Sequence, residues 1–363
     1  MTRTQFSSGI VGAGMIGKIH AYAVRASGGH LAMVADTFGD NAQAAAAQLG
    51  ADRSSREPLE LINDPGIDVV HICTPNATHA ELAMAALDAG KAVICEKPLA
   101  TTVADALALQ RKADHLGAVT AVPFVYRFHA NVREARARIA RGDAGKLWML
   151  HGSYLQDWLS RASDTNWRVD PRVGGASRAF ADIGVHWCDL MEFVTGHRIV
   201  KLSAHMANAF QERQGTEDGC VVLFETDQGA TGSVVTSQVS PGRKNRLAFS
   251  FDGTDASFAF DQENPEQLWV GGRDQNVLVM RDPTTAQPSA STYSHSPAGH
   301  PQGYREAFTF LINDVYRKLG GEDVDGLPTF DDGLRAAQLT DAVIASSRSR
   351  TWESVQSDHL NNK

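Results

Sequence analysis

The sequence has 363 residues and a formal net charge of −8 at pH 7, with 43% hydrophobic and 21% charged residues. A chain of this length and ordinary globular composition is expected to form two domains, because a single hydrophobic core stops growing at a smaller size. The acidic balance argues against a nucleic-acid partner, since phosphate binding needs clustered basic side chains. The nearest approach to such a cluster lies on a predicted helix beside Glu134 and indicates a solvated face: Arg133, Arg136, Arg138 and Arg141.

The cysteines and the apolar runs indicate the compartment. The four cysteines have no CxxC motif and no regular spacing, which favours reduced thiols in the cytoplasm: Cys73, Cys95, Cys188 and Cys220. The chain has no stretch of about 18 apolar residues that would span a membrane, and no signal-peptide core near its start. We therefore expect a soluble, cytoplasmic protein without a membrane partner.

Residues 1–125 alternate short apolar runs with Ala-rich helical segments. The predicted strands are Ser8–Val11, Leu31–Ala35, Val69–Cys73, Ala92–Cys95 and Val119–Phe124. The predicted helices are Met15–Ala26, Asn41–Leu49, Thr78–Ala89 and Thr102–His115. Strands that are apolar throughout are typical of sheets covered on both faces. This pattern predicts an N-terminal Rossmann domain, a doubly wound parallel sheet.

After Arg127 the pattern changes to a basic helix, Asn131–Arg141, and a series of strands. These strands are Leu147–Leu155, Val200–Ala207, Cys220–Glu225, Ala230–Val239, Arg246–Phe251, Ser257–Phe260, Gln267–Val270 and Val277–Arg281. Further helices are predicted at Asp182–Val194, Tyr304–Lys318 and Asp332–Ser347. Strands this closely spaced indicate a large, mostly antiparallel, open-faced sheet in an α+β domain over residues 126–363, whose closing helices are free to pack back on the first domain. Because an exposed apolar sheet face is rare in monomers, we expect a homodimer or homotetramer.

A glycine-rich turn joins the first predicted strand to the first helix. Gly12, Gly14 and Gly17 form a GxGxxG motif, in which the glycines allow a tight turn, a close approach of pyrophosphate and close helix–strand packing. Asp36 ends the second predicted strand, where a carboxylate binds both ribose hydroxyls and repels a 2′-phosphate, so NAD is favoured over NADP. A glycine turn opening an unrelated α/β fold is the alternative.

Two other strand ends carry polar residues. Cys73-Thr74-Pro75-Asn76 follows the third predicted strand and is placed along the nicotinamide half of a dinucleotide. Thr78 nearby also suits a capping box with Glu81. Lys97 follows the fourth strand directly before a proline and is expected to point into the crevice, with a structural ion pair to Glu96 or another carboxylate as the alternative.

The helix predicted at Asp182–Val194 has a polar face. At about 100° per residue, Asp182, His186 and Asp189 lie within about 60° of one another, apart from an apolar stripe. An N-capping Asp182 with a packed His186 is the alternative. No third ligand accompanies the pair, so no metal site is predicted.

Together these motifs resemble the Gfo/Idh/MocA oxidoreductases, a family that includes glucose–fructose oxidoreductase and inositol dehydrogenases. The resemblance covers nearly the whole chain. It implies hydride transfer from a hydroxyl of a sugar, inositol or related polyol to NAD. It also implies a catalytic group in which His186 takes the hydroxyl proton, Lys97 stabilises the developing negative charge and Asp182 orients the substrate.

The resemblance further implies residues for each ligand. Those for NAD are Gly12, Gly14, Met15, Ile16, Gly17, Asp36, Thr37, Cys73, Thr74, Pro75, Asn76, His79, Glu96, Lys97, Arg127, Trp167 and Arg168. Those for the substrate are Tyr126, Gln156, Asp157, Trp158 and Tyr304. The segment Tyr154–Trp158 combines aromatic rings with an amide and a carboxylate, which suits a sugar, and resembles the levoglucosan dehydrogenase branch. Aromatic packing under a loop is the alternative.

One segment departs from the family pattern. Arg178 and Phe180 are bulky where the family commonly has small residues before the catalytic Asp. Arg178 is either a surface residue or a contact to an anionic or hydroxyl group. Two other functions stay open: an NAD-dependent glycosidase or lyase with transient oxidation and no net redox change, and a non-catalytic NAD-responsive binding protein.

Overall fold

The computed structural model describes residues 5–37, 41–213 and 215–355. The chain divides into two compact units. The first comprises Met1–Val125 and Tyr304–Ala337, and the second comprises Tyr126–Gly303 and Gln338–Lys363. No helix within the described ranges is long and apolar enough to cross a bilayer.

The helices and strands are numbered in chain order. The α-helices are α1 (Met15–Ala26), α2 (Asn41–Leu49), α3 (Pro58–Ile62), α4 (His79–Asp88), α5 (Val103–Leu116), α6 (Ala130–Ala140), α7 (Pro171–Gly174), α8 (Val185–Thr195), α9 (Pro288–Ser291), α10 (Tyr304–Leu319) and α11 (Phe330–Ser349). The strands are β1 (Ser7–Val11), β2 (His30–Ala35), β3 (Arg53–Ser55), β4 (Val69–Ile72), β5 (Ala92–Cys95), β6 (Thr120–Ala121), β7 (Leu147–Leu155), β8 (Ile199–Ala207), β9 (Gly219–Thr226), β10 (Thr231–Ser237), β11 (Arg246–Gly253), β12 (Ser257–Asp261), β13 (Gln267–Gly271), β14 (Asn276–Met280) and β15 (Glu353–Ser354).

The first unit contains a six-stranded parallel sheet in the order β3-β2-β1-β4-β5-β6. Its central strands are apolar and buried on both faces, which explains their unbroken Val and Ile runs. The chain moves outward from β1 to β3 and then returns to β4. The carboxyl ends of β1 and β4 therefore flank the switch point at which doubly wound sheets bind ligands. The predicted Rossmann sheet is confirmed.

The first unit differs from the prediction in three short elements. β3 and α3 were not predicted, because elements of three and five residues carry no readable periodicity. β6 is shorter than the predicted Val119–Phe124, since Pro123 cannot donate to a strand ladder. Beyond β6, the Val122 N–H donates to the carbonyl of Pro328 at 3.0 Å.

The second unit contains a nine-stranded sheet in the order β14-β13-β12-β11-β7-β10-β9-β8-β15. Neighbouring strands are antiparallel except for β7 and β10, which run parallel. Buried and exposed residues alternate along β9, where Val222 and Phe224 are buried and Leu223 is half exposed. One face therefore belongs to the core and the other is open, as predicted.

Two predictions for the helices of the second unit are wrong. The segment predicted as one helix from Asp182 begins as a π-helical turn, Phe180–Gly184, and becomes α-helical only at α8. A projection at 100° per residue therefore does not apply to Asp182. Arg133 does not lie on a solvated face, because its side chain is buried with the guanidinium 3.9 Å from the centre of the Tyr293 ring.

Candidate active site

The glycine turn after β1 has the geometry that a dinucleotide requires. Gly12 has a φ of +97°, and a Cβ there would lie 2.7 Å from the carbonyl oxygen of Cys73. A Cβ on Gly17 would lie 2.1 Å from the Gly12 carbonyl oxygen, so helix and strand touch at this point. Apart from Gly14 and its two chain neighbours, no atom of the described residues lies within 4 Å of the Cβ position of Gly14, which leaves space for a pyrophosphate at the start of α1. Met15 and Ile16 form the first residues of α1, with Met15 largely exposed.

Asp36 lies against this turn. Its Oδ2 accepts a hydrogen bond from the Ala13 N–H at 2.9 Å, which holds the carboxylate beside the glycines. Thr37 follows it and is exposed. The open cradle and the adjacent carboxylate fit the phosphates and the ribose of NAD.

We expect Asp36→Ala to lower kcat/KM with NAD and to raise it with NADP. If Asp36 binds the ribose as the sequence predicts, the variant loses an acceptor for the ribose hydroxyls and the charge that repels a 2′-phosphate. Hydrogen bonds to a charged group contribute about 1.5–3 kcal/mol, so the NAD efficiency should fall about 10- to 100-fold. Steady-state kinetics with both cofactors measures this effect. Asp52→Ala, which removes an exposed partner of His30, is the matched control, and an unchanged cofactor ratio in Asp36→Ala would contradict the assignment.

The residues after β4 form a braced turn. His79 is fully buried, with Nδ1 2.7 Å from the Pro98 carbonyl and Nε2 2.9 Å from the Thr74 carbonyl. Burial lowers the pKa of His79 despite these contacts. The Thr78 hydroxyl oxygen lies 2.7 Å from Thr74 Oγ1 and 2.9 Å from the Pro75 carbonyl oxygen, and it makes no side-chain cap of α4. The alternative of a capping box with Glu81 is therefore wrong, and His79 and Thr78 hold the strand ends on which Cys73 and Asn76 lie.

Glu96 lies between Lys97 and a buried histidine. Its Oε1 is 3.1 Å from His20 Nε2, and its Oε2 accepts the backbone N–H of Lys97 at 3.2 Å. Burial raises the pKa of Glu96, but the hydrogen bond and charge of His20, with the charges of Lys97 and His79, outweigh it and lower the pKa overall. An ionised Glu96 therefore lies beside Lys97.

The contact with His20 continues through the core of the unit. His20 Nδ1 is 3.0 Å from His71 Nδ1, and His71 Nε2 is 3.1 Å from Ser8 Oγ. Ser8 Oγ is in turn 2.8 Å from the hydroxyl of Tyr316 on α10. Burial, with a smaller effect of His20, lowers the pKa of His71 well below its usual value. The sequence analysis did not predict this series of contacts from Glu96 to Tyr316, because isolated histidines in a helix and in a strand give no spacing signal.

The lowered pKa of His71 makes the stability of the chain pH-dependent. As pH falls, the unfolded chain binds the proton before the folded chain does. Stability due to neutral His71 is therefore complete above about pH 6.5 and declines below it, by up to about 1.4 kcal/mol per pH unit. Urea unfolding at a series of pH values should show a shallower decline for His71→Val than for the wild type. His115→Val, at an exposed site on α5, should keep the wild-type slope. Equal slopes in all three proteins would contradict the prediction.

Asp182 lies on the π-helical turn of the second unit. Its Oδ2 accepts from Gln238 Nε2 at 2.6 Å, and its Oδ1 is 3.3 Å from Arg168 Nε. The turn is tightly packed, since a Cβ on Gly184 would lie 2.4 Å from the Phe180 ring. Phe180 is therefore a core residue that fixes the turn.

His186 follows on α8 with 7% of its surface exposed. The edge of its ring meets Tyr126 at 5.2 Å between centroids, and Tyr154 lies 6.2 Å away. Burial, the largest influence, raises the pKa of Tyr126, and the charge of Asp182 acts in the same direction. Asp182 and His186 are thus both close to Tyr126. Asp189 does not join them, because it pairs with Arg127, whose Nε is 2.9 Å from Asp189 Oδ2.

Three of the five predicted substrate residues, Tyr126, Gln156 and Trp158, belong to a hydrogen-bonded cluster in the second unit. The Tyr126 and Tyr154 hydroxyls contact each other, and Tyr154 donates to Asn245 Oδ1 at 2.7 Å. Gln156 Nε2 donates to the same oxygen at 2.8 Å, and Trp158 Nε1 donates to Gln156 Oε1 at 2.8 Å. We call these five residues the tyrosine–amide cluster. Asn245 was missed, since only the pairing of β11 with β7 brings it opposite Gln156.

Four other predicted site residues lie outside this cluster: Asp157, Trp167, Arg168 and Tyr304. Asp157 Oδ2 is 2.6 Å from Lys244 Nζ, and this hydrogen bond lowers the pKa of Asp157. Arg168 stacks on Trp167 with 4.2 Å from guanidinium to ring centre. Tyr304 begins α10 in the first unit and contacts Phe308 edge-on. In the described part of the chain, no group of three or more His, Cys, Asp or Glu is arranged to hold a metal ion.

The first unit has a Rossmann sheet with a glycine turn and Asp36 beside it, and the second unit is built on a mostly antiparallel sheet. Together these features define an NAD-binding oxidoreductase. A model described as "Oxidoreductase family, NAD-binding Rossmann fold" matches residues 6–124, and a model of the "GFO/IDH/MocA C-terminal domain" matches residues 132–259. The chain belongs to the Gfo/Idh/MocA oxidoreductase family, and the predicted resemblance is confirmed.

Named relatives agree with this assignment. The chain is 29% identical to levoglucosan dehydrogenase of Pseudarthrobacter phenanthrenivorans, over 96% of this chain and 97% of that protein. It is 30% identical to scyllo-inositol 2-dehydrogenase (NAD(+)) of Bacillus subtilis, over 65% of this chain and 68% of that protein. A solved structure of levoglucosan dehydrogenase in complex with NADH and levoglucosan has a TM-score of 0.91 at 29% identity, covering 97% of this chain and all (100%) of that one.

Proposed function

We propose that the chain oxidises a secondary hydroxyl group of a sugar, inositol or related cyclic polyol, with NAD as the acceptor. The tyrosine–amide cluster beside His186 is the observation that carries this proposal. Its hydroxyls and amides can each donate and accept hydrogen bonds, as sugar hydroxyls do, and its aromatic rings suit the C–H faces of a pyranose. The relatives act on levoglucosan and scyllo-inositol by name, which supports a ring-shaped polyol.

The catalytic roles are assigned to Lys97, Asp182 and His186. NAD, when bound, supplies the hydride acceptor. His186 accepts the proton of the substrate hydroxyl, a task suited to an imidazole that is neutral near pH 7. The Lys97 ammonium donates to the reacting oxygen and stabilises its developing negative charge. The Asp182 carboxylate accepts from a substrate hydroxyl and so orients the ring.

The experiment is NADH absorbance with the purified protein, NAD and a panel of cyclic polyols that includes levoglucosan, scyllo-inositol and myo-inositol. We expect NADH formation with at least one of them, together with the matching ketone. An absence of NADH across the panel would overturn the proposal. Product released without net NADH would instead identify an NAD-dependent glycosidase or lyase.

We also propose that the chain forms a homodimer or homotetramer through the open face of its nine-stranded sheet. Large apolar side chains are exposed on the strands of that sheet: Trp148, Val200, Val221, Leu223, Val235, Trp269, Val277, Leu278 and Met280. So many apolar groups on one sheet favour a second copy as cover. Light scattering of the purified protein measures the mass, and a monomer at micromolar concentration would contradict this proposal.

A cytoplasmic location is the last part of the proposal. All four cysteines lie among the described residues, where they are buried and outside any disulfide. Burial, with a contribution from Glu96, raises the pKa of Cys73 and Cys95 well above the usual value, so both stay neutral thiols. Free thiols are typical of a reducing compartment. Cell fractionation with an antibody tests the location.

A further inference from the structure

Arg178 is a buried charged residue near Asp182. Its side chain is fully buried and forms an ion pair with Asp218, which is also buried. Its Nε donates to Thr216 Oγ1 at 3.2 Å, and its Nη1 donates to Gln238 Oε1 at 3.3 Å. Arg178 is therefore not a surface residue, contrary to one alternative from the sequence.

Gln238 connects this arginine to Asp182. The amide is fully buried and donates from Nε2 to Asp182 Oδ2 at 2.6 Å. A guanidinium only donates hydrogen bonds and an ionised carboxylate only accepts them. Because Arg178 needs an acceptor and Asp182 needs a donor, the Gln238 amide can take only one orientation, with Oε1 toward Arg178 and Nε2 toward Asp182.

The backbone of this segment is held separately, by Glu217. Its carboxylate accepts the backbone N–H groups of Arg178 at 3.0 Å and Phe180 at 2.9 Å, and the Ser177 hydroxyl at 2.7 Å. Burial raises the pKa of Glu217, and these hydrogen bonds oppose that rise. Because Glu217 holds the main chain, the Arg178 side chain is left to bind Asp218, Thr216 and Gln238, and it reaches Asp182 through Gln238.

We propose that Arg178 and Gln238 are positioning residues that hold the Asp182 carboxylate in one rotation, with Oδ2 on Gln238 and Oδ1 toward Arg168. This inference rests on the proposed function, in which Asp182 orients the substrate. A carboxylate free to rotate would present its oxygen to the substrate for only part of the time. A misplacement of about 1 Å at a reacting group can cost about 100-fold in rate.

Gln238→Glu is the test, because it keeps the size and the bond to Arg178 but turns an acceptor toward Asp182. We expect kcat to fall about 10- to 100-fold with an unchanged KM for NAD. The acid limb of the kcat–pH profile should also move to higher pH, since two adjacent carboxylates share a proton. The substitution leaves unchanged the charged and titratable groups that surround this pair: Arg168, Arg178, His186, Arg213, Glu217, Asp218 and Tyr126.

Gln302→Glu is the matched control. Gln302 is a buried glutamine of the same unit whose side chain binds the backbone of Tyr293, His295 and Ser296. A purely structural effect of a buried charge would alter the melting temperature of both variants alike and move neither pH profile. If Gln238→Glu does not fold, Arg178→Lys carries the same comparison, because lysine keeps the charge beside Asp218 but cannot reach three partners at once.

Asp182→Asn separates this inference from the proposed function. If Asp182→Asn loses activity while Gln238→Glu keeps the wild-type kcat and pH profile, the positioning role is overturned and the proposed function stands. If Asp182→Asn keeps wild-type activity, the role of Asp182 itself is overturned. Loss of activity in both Asp182→Asn and Gln238→Glu, with a shifted pH profile in Gln238→Glu alone, supports the positioning role of Arg178 and Gln238.

Discussion

Replacing Lys97 by methionine is expected to lower kcat about 100- to 1000-fold while the KM for NAD changes little. Methionine keeps most of the length of the side chain but removes the ammonium to which we assign stabilisation of negative charge on the reacting oxygen, an electrostatic contribution of this size in other enzymes. Because that charge develops only in the transition state, kcat and kcat/KM should fall together. Stopped-flow measurement of NADH formation separates this chemical step from product release.

Lys91→Met is the matched control for Lys97. Lys91 lies in the same unit, and its Nζ donates to the carbonyls of Asp64 at 2.7 Å and Ile67 at 2.8 Å. We expect this variant to lose stability, since the carbonyls of Asp64 and Ile67 lose their donor, but to keep its kcat. An equal loss of kcat in both variants would show that the effect of Lys97→Met is structural.

His186→Gln is expected to lower kcat/KM about 100- to 10 000-fold, the range of general acid–base catalysis. Glutamine retains a hydrogen-bonding group beside Tyr126 but cannot accept a proton near neutral pH. The limb of the pH–rate profile that reports ionisation of the base should therefore disappear. Initial rates across the pH range measure both effects.

The control for His186 is His197→Gln. His197 follows the same helix and contacts Thr226 Oγ1 through Nδ1 at 2.9 Å. This variant should keep the wild-type rate and pH profile. If His186→Gln retained the full pH dependence, another group would have to be the base.

The Rossmann domain was predictable because its sequence motifs follow its strands, and the parallel topology brings the ends of those strands together. Four strands of the first unit, β1, β2, β4 and β5, are followed by residues whose chemistry is visible without the fold, such as the glycines after β1, Asp36 and Lys97. Parallel strands bring their carboxyl ends to one edge, so these signals needed only the topology to be placed. The domain that follows was predictable as a class from its closely spaced, turn-separated strands.

The surroundings of Asp182 were not predictable in the same way. A π-helical turn has no sequence periodicity of its own in so short a segment, so a regular helix was assumed. Gln238 and Asn245 are single polar residues at strand ends, and only sheet pairing shows what they contact. Arginine is almost never buried unless paired, and Asp218, the partner of Arg178, lies 40 residues further along the chain.

The first unit is completed by residues that are made late in synthesis. Its β1 meets Tyr316 of α10, α10 packs on α1, and the segment after β6 pairs with Pro328. A ribosome adds about 5–20 residues per second. Translation of residues 126–303 therefore separates the synthesis of the Rossmann strands from that of α10 by roughly 10–40 s. During that time the apolar surface that α10 covers is exposed to water and to other chains. Nascent chains of this protein are therefore expected to need a chaperone for the first unit until the last helices emerge.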